Sequence, residues 1–183
     1  MRRYAPALSI GLLLAAAVSF AGPEKIAFPS GYKEGRLYAM SDRPDNKTVR
    51  DLYANAAAVQ AGQAGRPLPS GSVLSMEVYQ AKVDDKGALV KGSDGRLVKG
   101  NLVGIFVMEK RAGWGAEYPE SLRNGEWEYA RFAPDGARQN VDTKPCFECH
   151  KPESAKDYVF THDKVRLRGS EHPAPPPSGR ARG

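Results

Sequence analysis

Both cysteines of the chain lie within Cys146-Phe147-Glu148-Cys149-His150, three positions apart. That spacing brings two thiols together on one turn of helix, where positions i and i+3 are neighbours, or in a tight loop. With histidine directly after the second cysteine, the stretch has the form of a c-type haem attachment sequence. In such a sequence two thioethers hold one porphyrin edge and the next residue reaches the iron. Imidazole suits that role, since a neutral ring nitrogen is a good iron ligand. Cys146 and Cys149 are thus read as attachment points for haem c, and His150 as the metal ligand. A short disulfide, a redox dithiol and half of a zinc site compete with this reading. A structural zinc site takes four ligands, and only His162 and His172 are left to complete one. A redox pair is expected beside a βαβ pattern, and none adjoins the motif.

The N-terminus fits export. Arg2 and Arg3 precede an apolar run from Ala7 to Phe20, too short and weakly flanked for a membrane span, and Ser19 and Ala21 are the small residues a signal peptidase reads. The pattern predicts a signal peptide over residues 1–21, cleavage after Ala21 and a periplasmic address. Loss of Arg2 and Arg3 lowers the basic count from 27 to 25 against 21 acidic residues, so the net charge falls from +6 to +4. A balance that mild, with no basic stripe interleaved with aromatics, does not suggest nucleic-acid binding. At 183 residues, one domain with flexible ends is the default. We place a haem domain at 22–168 and a disordered tail rich in Pro, Gly and Arg at 169–183.

Between these ends the sequence reads as β-rich. Leu37–Ser41 and Val49–Tyr53 are candidate strands around the turn Asp42-Arg43-Pro44-Asp45-Asn46. Ala56–Gln63 is an alanine-rich helix with Asn55 as its N-cap. In the strand Ser72–Lys82, a period of two sets Leu74, Met76 and Val78 on an inward face against Ser75, Glu77 and Tyr79. Asp84–Gly100 reads as one or two hairpins, Leu102–Arg111 as a strand buried on both faces at its start, and Glu126–Phe132 as a third inner strand. A short helix starting at Pro145 carries the motif. The fold class is therefore α+β and β-rich, an antiparallel sheet with short helices and the haem motif near the C-terminus. Lys156–Thr161 ends the ordered chain, its aromatics able to cover the ring.

An exported, sheet-rich chain with a late Cys-Phe-Glu-Cys-His and a following Asp157-Tyr158-Val159-Phe160-Thr161 resembles the cytochrome P-460 family, which includes the β-type relatives of cytochrome c-prime. Softer matches are Tyr53-Ala54-Asn55, Pro69-Ser70-Gly71-Ser72-Val73 and Glu126-Trp127. The resemblance implies one haem with a proximal histidine, a second axial face that is open or capped by apolar side chains, and often a dimer. In hydroxylamine-oxidising members a strand lysine forms an extra bond to the porphyrin. Aligned on the Gly-Ser-Val start, that position falls on Met76, whose thioether cannot make the bond, while Lys82 lies near the strand end and points to solvent.

Met76 is then either an apolar filler over the haem, the favoured reading, or a soft sixth ligand. Glu109 is a candidate proton-transfer group, weighed against a solvated residue at the strand rim. His162 is read as a surface residue. The leading function is binding of a small ligand such as nitric oxide at open iron. Oxidation of hydroxylamine or a peroxidase-like reaction is the enzymatic alternative, and electron transfer through Met76-ligated iron to a redox partner protein is the third.

Overall fold

A computed structural model describes residues 25–166. The expected signal peptide 1–21 and the expected disordered tail 169–183, with His172 in it, lie outside the described residues. Strands β1 (Arg36–Arg43), β2 (Thr48–Ala54), β3 (Val73–Ala81), β4 (Lys99–Lys110), β5 (Trp127–Phe132) and β6 (Arg138–Gln139) form one sheet in sequence order. Every neighbouring pair is antiparallel. Helices α1 (Ala56–Gln63), α2 (Lys144–His150) and α3 (His162–Arg166) complete a β-rich α+β fold. The bridges Val83 to Leu89 and Lys91 to Leu97 mark two small hairpins between β3 and β4, where one or two were expected.

Helix α1 begins where the sequence places it. The Asn55 side-chain oxygen accepts from the backbone N–H of Ala58 at 3.1 Å and of Val73 at 3.2 Å, and its amide donates to the Gly71 carbonyl at 2.8 Å. One side chain thus caps the helix and ties it to β3. Asn55→Ala removes all three bonds and should cost about 2 kcal/mol, the upper end for a cap, measured as a lowered urea midpoint at unchanged m-value. Helix α3, beyond the expected end of ordered structure, packs on α1. Its Val165 is fully buried, and a Cβ at Gly62 would stand 2.9 Å from Val165 Cγ1, so only glycine admits that approach.

Cross-strand register defines two sheet faces. Ala54, Leu74, Met108 and Tyr129 form one row, and Leu52, Met76, Phe106 and Arg131 form the next row on the same face. The first row joins Ala58 and Ala61 of α1, Phe147 of α2 and Val165 of α3 in the main core. The other face holds Ile105, Val107, Ala130 and Phe132, covered by Ile26, Phe28 and Tyr32 from the N-terminal segment.

That second cover corrects one expectation. Leu74 and Val78 are buried as expected, but Ser75 and Glu77, assigned to an outward face, are buried too. Glu77 is stabilised there by hydroxyls donated from Tyr32 at 2.7 Å and Tyr79 at 2.8 Å, and by Lys33 at 2.7 Å. A buried carboxylate persists only with such partners.

Glu128, on the same face, has fewer. It accepts from the Tyr118 hydroxyl at 2.8 Å, Lys25 lies 3.6 Å away, and burial pushes its carboxyl up to about 7. A raised pKa means the folded state binds the proton more tightly than the unfolded chain. Stability therefore falls as pH climbs from the ordinary carboxylate range through about 7. Between pH 5 and 8 the wild type should lose on the order of 2 kcal/mol that Glu128→Gln does not lose. Parallel urea titrations read this directly, and equal losses in the two proteins would contradict it.

Candidate functional site

Helix α2 has one buried residue, Phe147, which enters the main core between Tyr118 and Tyr129 at ring-centroid distances of 4.7 and 4.8 Å. With that side committed to the core, Cys146, Cys149 and His150 share another side of the same two turns. Pro145 in the first turn suits a position where no N–H partner is needed. Asn124, fully buried, fastens α2 to the sheet by donating to the Phe147 carbonyl at 3.0 Å and the Tyr129 hydroxyl at 2.9 Å. Cys146 and Cys149 are not bonded to each other, Cys146 being half-buried and Cys149 exposed. Burial pushes the Cys146 thiol up, and the neighbouring Cys149 adds to the shift.

The His150 ring packs against Tyr129 at a tilt, 5.0 Å between centroids, and edge-to-face with Phe160 at 4.9 Å. Its Nδ1 lies 2.7 Å from the Tyr158 carbonyl oxygen. A carbonyl only accepts, so Nδ1 carries the proton and Nε2 keeps its lone pair. Burial lowers the ring's pKa, which favours this neutral, ligating form. Second partners of this kind orient metal-binding histidines. Backbone geometry produces the contact: Asp157 and Tyr158 are consecutive left-handed residues with φ of 54° and 61°. A bulky residue there is strained by about 1 kcal/mol or more, and the strain is held in place from two sides. Lys110 binds the Asp157 carboxylate at 2.9 Å, and the Tyr158 ring lies against Gly125, where a Cβ would approach to 3.2 Å.

Tyr129 links His150 to the sheet. In the next row on that face, Leu52, Met76 and Phe106 are only half-buried, an apolar strip that the described residues do not close over. Arginines flank it: Arg131 at the end of the row and Arg50 one step down β2. Their Nε atoms are buried and lack hydrogen-bond partners among the described residues, and such unmade bonds cost about 1–3 kcal/mol each. The Arg131 guanidinium sits 5.0 Å over Phe106, and Arg43 and Arg50 lie within electrostatic reach of Cys149. Two thiols, an imidazole nitrogen, an apolar strip and two unsatisfied guanidinium donors are together a good fit to haem, which offers vinyl groups, iron, an apolar disc and two carboxylates. Cys146, Cys149 and His150 would hold it.

Other candidates fall elsewhere. Glu109 alternates with Met108 and lies on the opposite face with Ile105 and Val107, ion-paired to Arg111 at 2.6 Å. It is neither a solvated rim residue nor a neighbour of His150, being 6% exposed. Lys82 is exposed just past β3, and His162 opens α3 and is half-buried. Among the described residues no three His, Cys, Asp or Glu side chains gather into a metal cluster, so a zinc site completed by His162 finds no support there. The Tyr158 carbonyl, Tyr129, Asn124, Arg50 and Arg131 escaped sequence reasoning, since nothing local marks a carbonyl or a strand arginine as facing a site.

No curated protein matches the chain. The family model for cytochrome P460 matches residues 29–161, from the N-terminal cover of the sheet through the segment that orients His150. That match spans most of the chain, and the chain belongs to the cytochrome P460 family, as a haem-binding cytochrome of that family.

Proposed function

We propose that this chain is a periplasmic mono-haem c-type cytochrome that binds a small ligand such as nitric oxide at an open axial position. Haem, attached through Cys146 and Cys149, supplies a redox-active iron able to take a diatomic ligand. The observation that carries the proposal is the pairing of an oriented His150, its Nε2 unprotonated, with the uncovered strip Leu52, Met76 and Phe106 on the adjoining sheet face. That strip would give a haem held by Cys146, Cys149 and His150 an apolar surface, on which the Met76 thioether is the one side chain able to ligate a metal. Arg50 and Arg131, whose Nε atoms are without partners among the described residues, would meet the carboxylates of such a haem. Met76 stands where hydroxylamine-oxidising relatives carry a cross-linking lysine, which favours ligand binding over that oxidation. A redox partner protein and a homodimer belong to the same proposal.

Because Met76 lies on the facing strip, electron transfer through six-coordinate iron is the second reading. Titrating the ferric and ferrous protein with nitric oxide separates the two. A high-spin spectrum that shifts to saturation at one ligand per haem, in wild type and Met76→Ala alike, supports the proposal. A low-spin, ligand-inert iron in both redox states overturns it, and its conversion to high spin by Met76→Ala would establish the electron carrier.

A further inference from the structure

A continuous path of ring contacts leads from His150 to a buried acid–base pair. His150 lies 5.0 Å from Tyr129, Tyr129 lies 4.8 Å from Phe147, and Phe147 lies 4.7 Å from Tyr118. Tyr118, 3% exposed, donates its hydroxyl to Glu128 Oε2 at 2.8 Å, and Glu128 is fully buried. Resting on the haem-binding reading above, we infer that Tyr118 is a redox-active side chain: it gives an electron to the oxidised haem centre along these rings while its phenolic proton passes to Glu128.

Within the core that holds Phe147, the proton acceptor singles Tyr118 out; Tyr32 and Tyr79, which donate to Glu77, lie outside that core and off this ring path. A phenol that loses an electron becomes a very strong acid, so in a buried site the oxidation proceeds where a base already holds the hydrogen bond. Tyr129 is nearer His150, but its hydroxyl accepts from Asn124 Nδ2, and the Asn124 oxygen makes no hydrogen bond. Trp127 has a buried Nε1 with no partner and carries the Lys110 ammonium 5.7 Å over its ring, which opposes a positive charge there. Tyr38 is bonded to the Thr161 hydroxyl, a weak base. Only the Tyr118 hydroxyl, among these four side chains, meets a carboxylate. The groups facing Glu128 are Tyr118, Lys25 at 3.6 Å, Glu117 ion-paired to that lysine, and Glu109 opposite it on β4, held by Arg111. Glu128 titrates near 7, which makes it a stronger base than a solvated carboxylate.

The oxidant is a hydroperoxide. Hydrogen peroxide breaks its O–O bond, takes two protons from solvent and becomes two waters, drawing two electrons from the protein. A haem held by Cys146, Cys149 and His150 would supply one of these electrons, and Tyr118 gives the other. The Tyr118 O–H bond breaks, an O–H bond forms on Glu128, and a neutral tyrosyl radical remains. Such a device spends damaging oxidising equivalents at a chosen side chain instead of at the porphyrin.

The test uses ferric holoprotein, its haem content checked first by absorbance, mixed with one equivalent of hydrogen peroxide and frozen within milliseconds for electron paramagnetic resonance. A tyrosyl signal is expected in wild type and in Tyr38→Phe, and at least tenfold less of it in Tyr118→Phe. Nitroso spin-trapping of the wild type followed by peptide mapping gives the assignment without any variant, and the adduct is expected on Tyr118. A haem-loaded protein that is oxidised by peroxide yet shows no tyrosyl radical, keeps the radical in Tyr118→Phe, or carries the adduct on another residue overturns the inference. Absence of haem would instead overturn the proposed function itself.

Discussion

His150→Ala is expected to strip the iron of its protein nitrogen while the thioethers keep the porphyrin in place. The absorption spectrum should change in both redox states and nitric oxide affinity should shift by at least tenfold. Free imidazole, small enough to enter the space left by the ring, should restore the wild-type spectrum at millimolar concentration. The fold should survive, since the variant gives up one hydrogen bond to the Tyr158 carbonyl and the ring contacts with Tyr129 and Phe160, a loss of about 1–2 kcal/mol. A spectrum and affinity unchanged by the substitution would move the ligand elsewhere.

The largest stability effect is expected at Phe147. The side chain is 1% exposed and wedged between Tyr118 and Tyr129. Phe147→Ala should cost about 3–5 kcal/mol, a large part of the net stability of a domain this size. Because Phe147 is the single buried residue of α2, the cavity opens beneath the cysteines, and haem incorporation should fall along with the thermal midpoint. Phe147→Leu keeps most of the volume and should retain the haem with a smaller loss. Equal haem yield and midpoint in the alanine variant would mean that α2 is held by other contacts.

Much of this was legible in the chain because local signals sufficed. Asn55 caps α1 where the sequence places it, and β1, β2, β3 and β5 lie within two residues of the expected strands or enclose them. The cysteine spacing and Phe147 between them make α2 a helix with one inward side. The rest depended on partners remote in sequence. The face of Glu109 was obscure because Met108 and Glu109 are both buried, so alternation gives no inward parity on β4. Ser75 and Glu77 are buried by an N-terminal segment more than forty residues earlier, and Glu77 is tolerated because Tyr32 and Lys33 arrive with that segment. Helix α3 is five residues long, and what holds it is Val165 against Gly62. Arg50 and Arg131 flank one apolar strip only once four strands are in register.

The geometry also explains why His150 is followed by an irregular segment. The chain leaves α2 through a 3-10 turn over Lys151–Lys156 and passes through left-handed Asp157 and Tyr158, which returns the Tyr158 carbonyl to the imidazole. A regular helix continuing past His150 would carry residue 158 roughly 12 Å along its axis and leave Nδ1 without that acceptor. The strain of two left-handed residues is thus tied to the orientation of one ring.

The most direct test is the reduced pyridine haemochrome spectrum of the full chain, purified from a host with haem-ligation machinery, taken before and after extraction with acidified acetone. Haem joined through Cys146 and Cys149 predicts the spectrum of a porphyrin with both vinyl groups saturated, one per chain, retained by the polypeptide after extraction. A colourless protein, or a haem with intact vinyl groups that leaves entirely with the solvent, would contradict it.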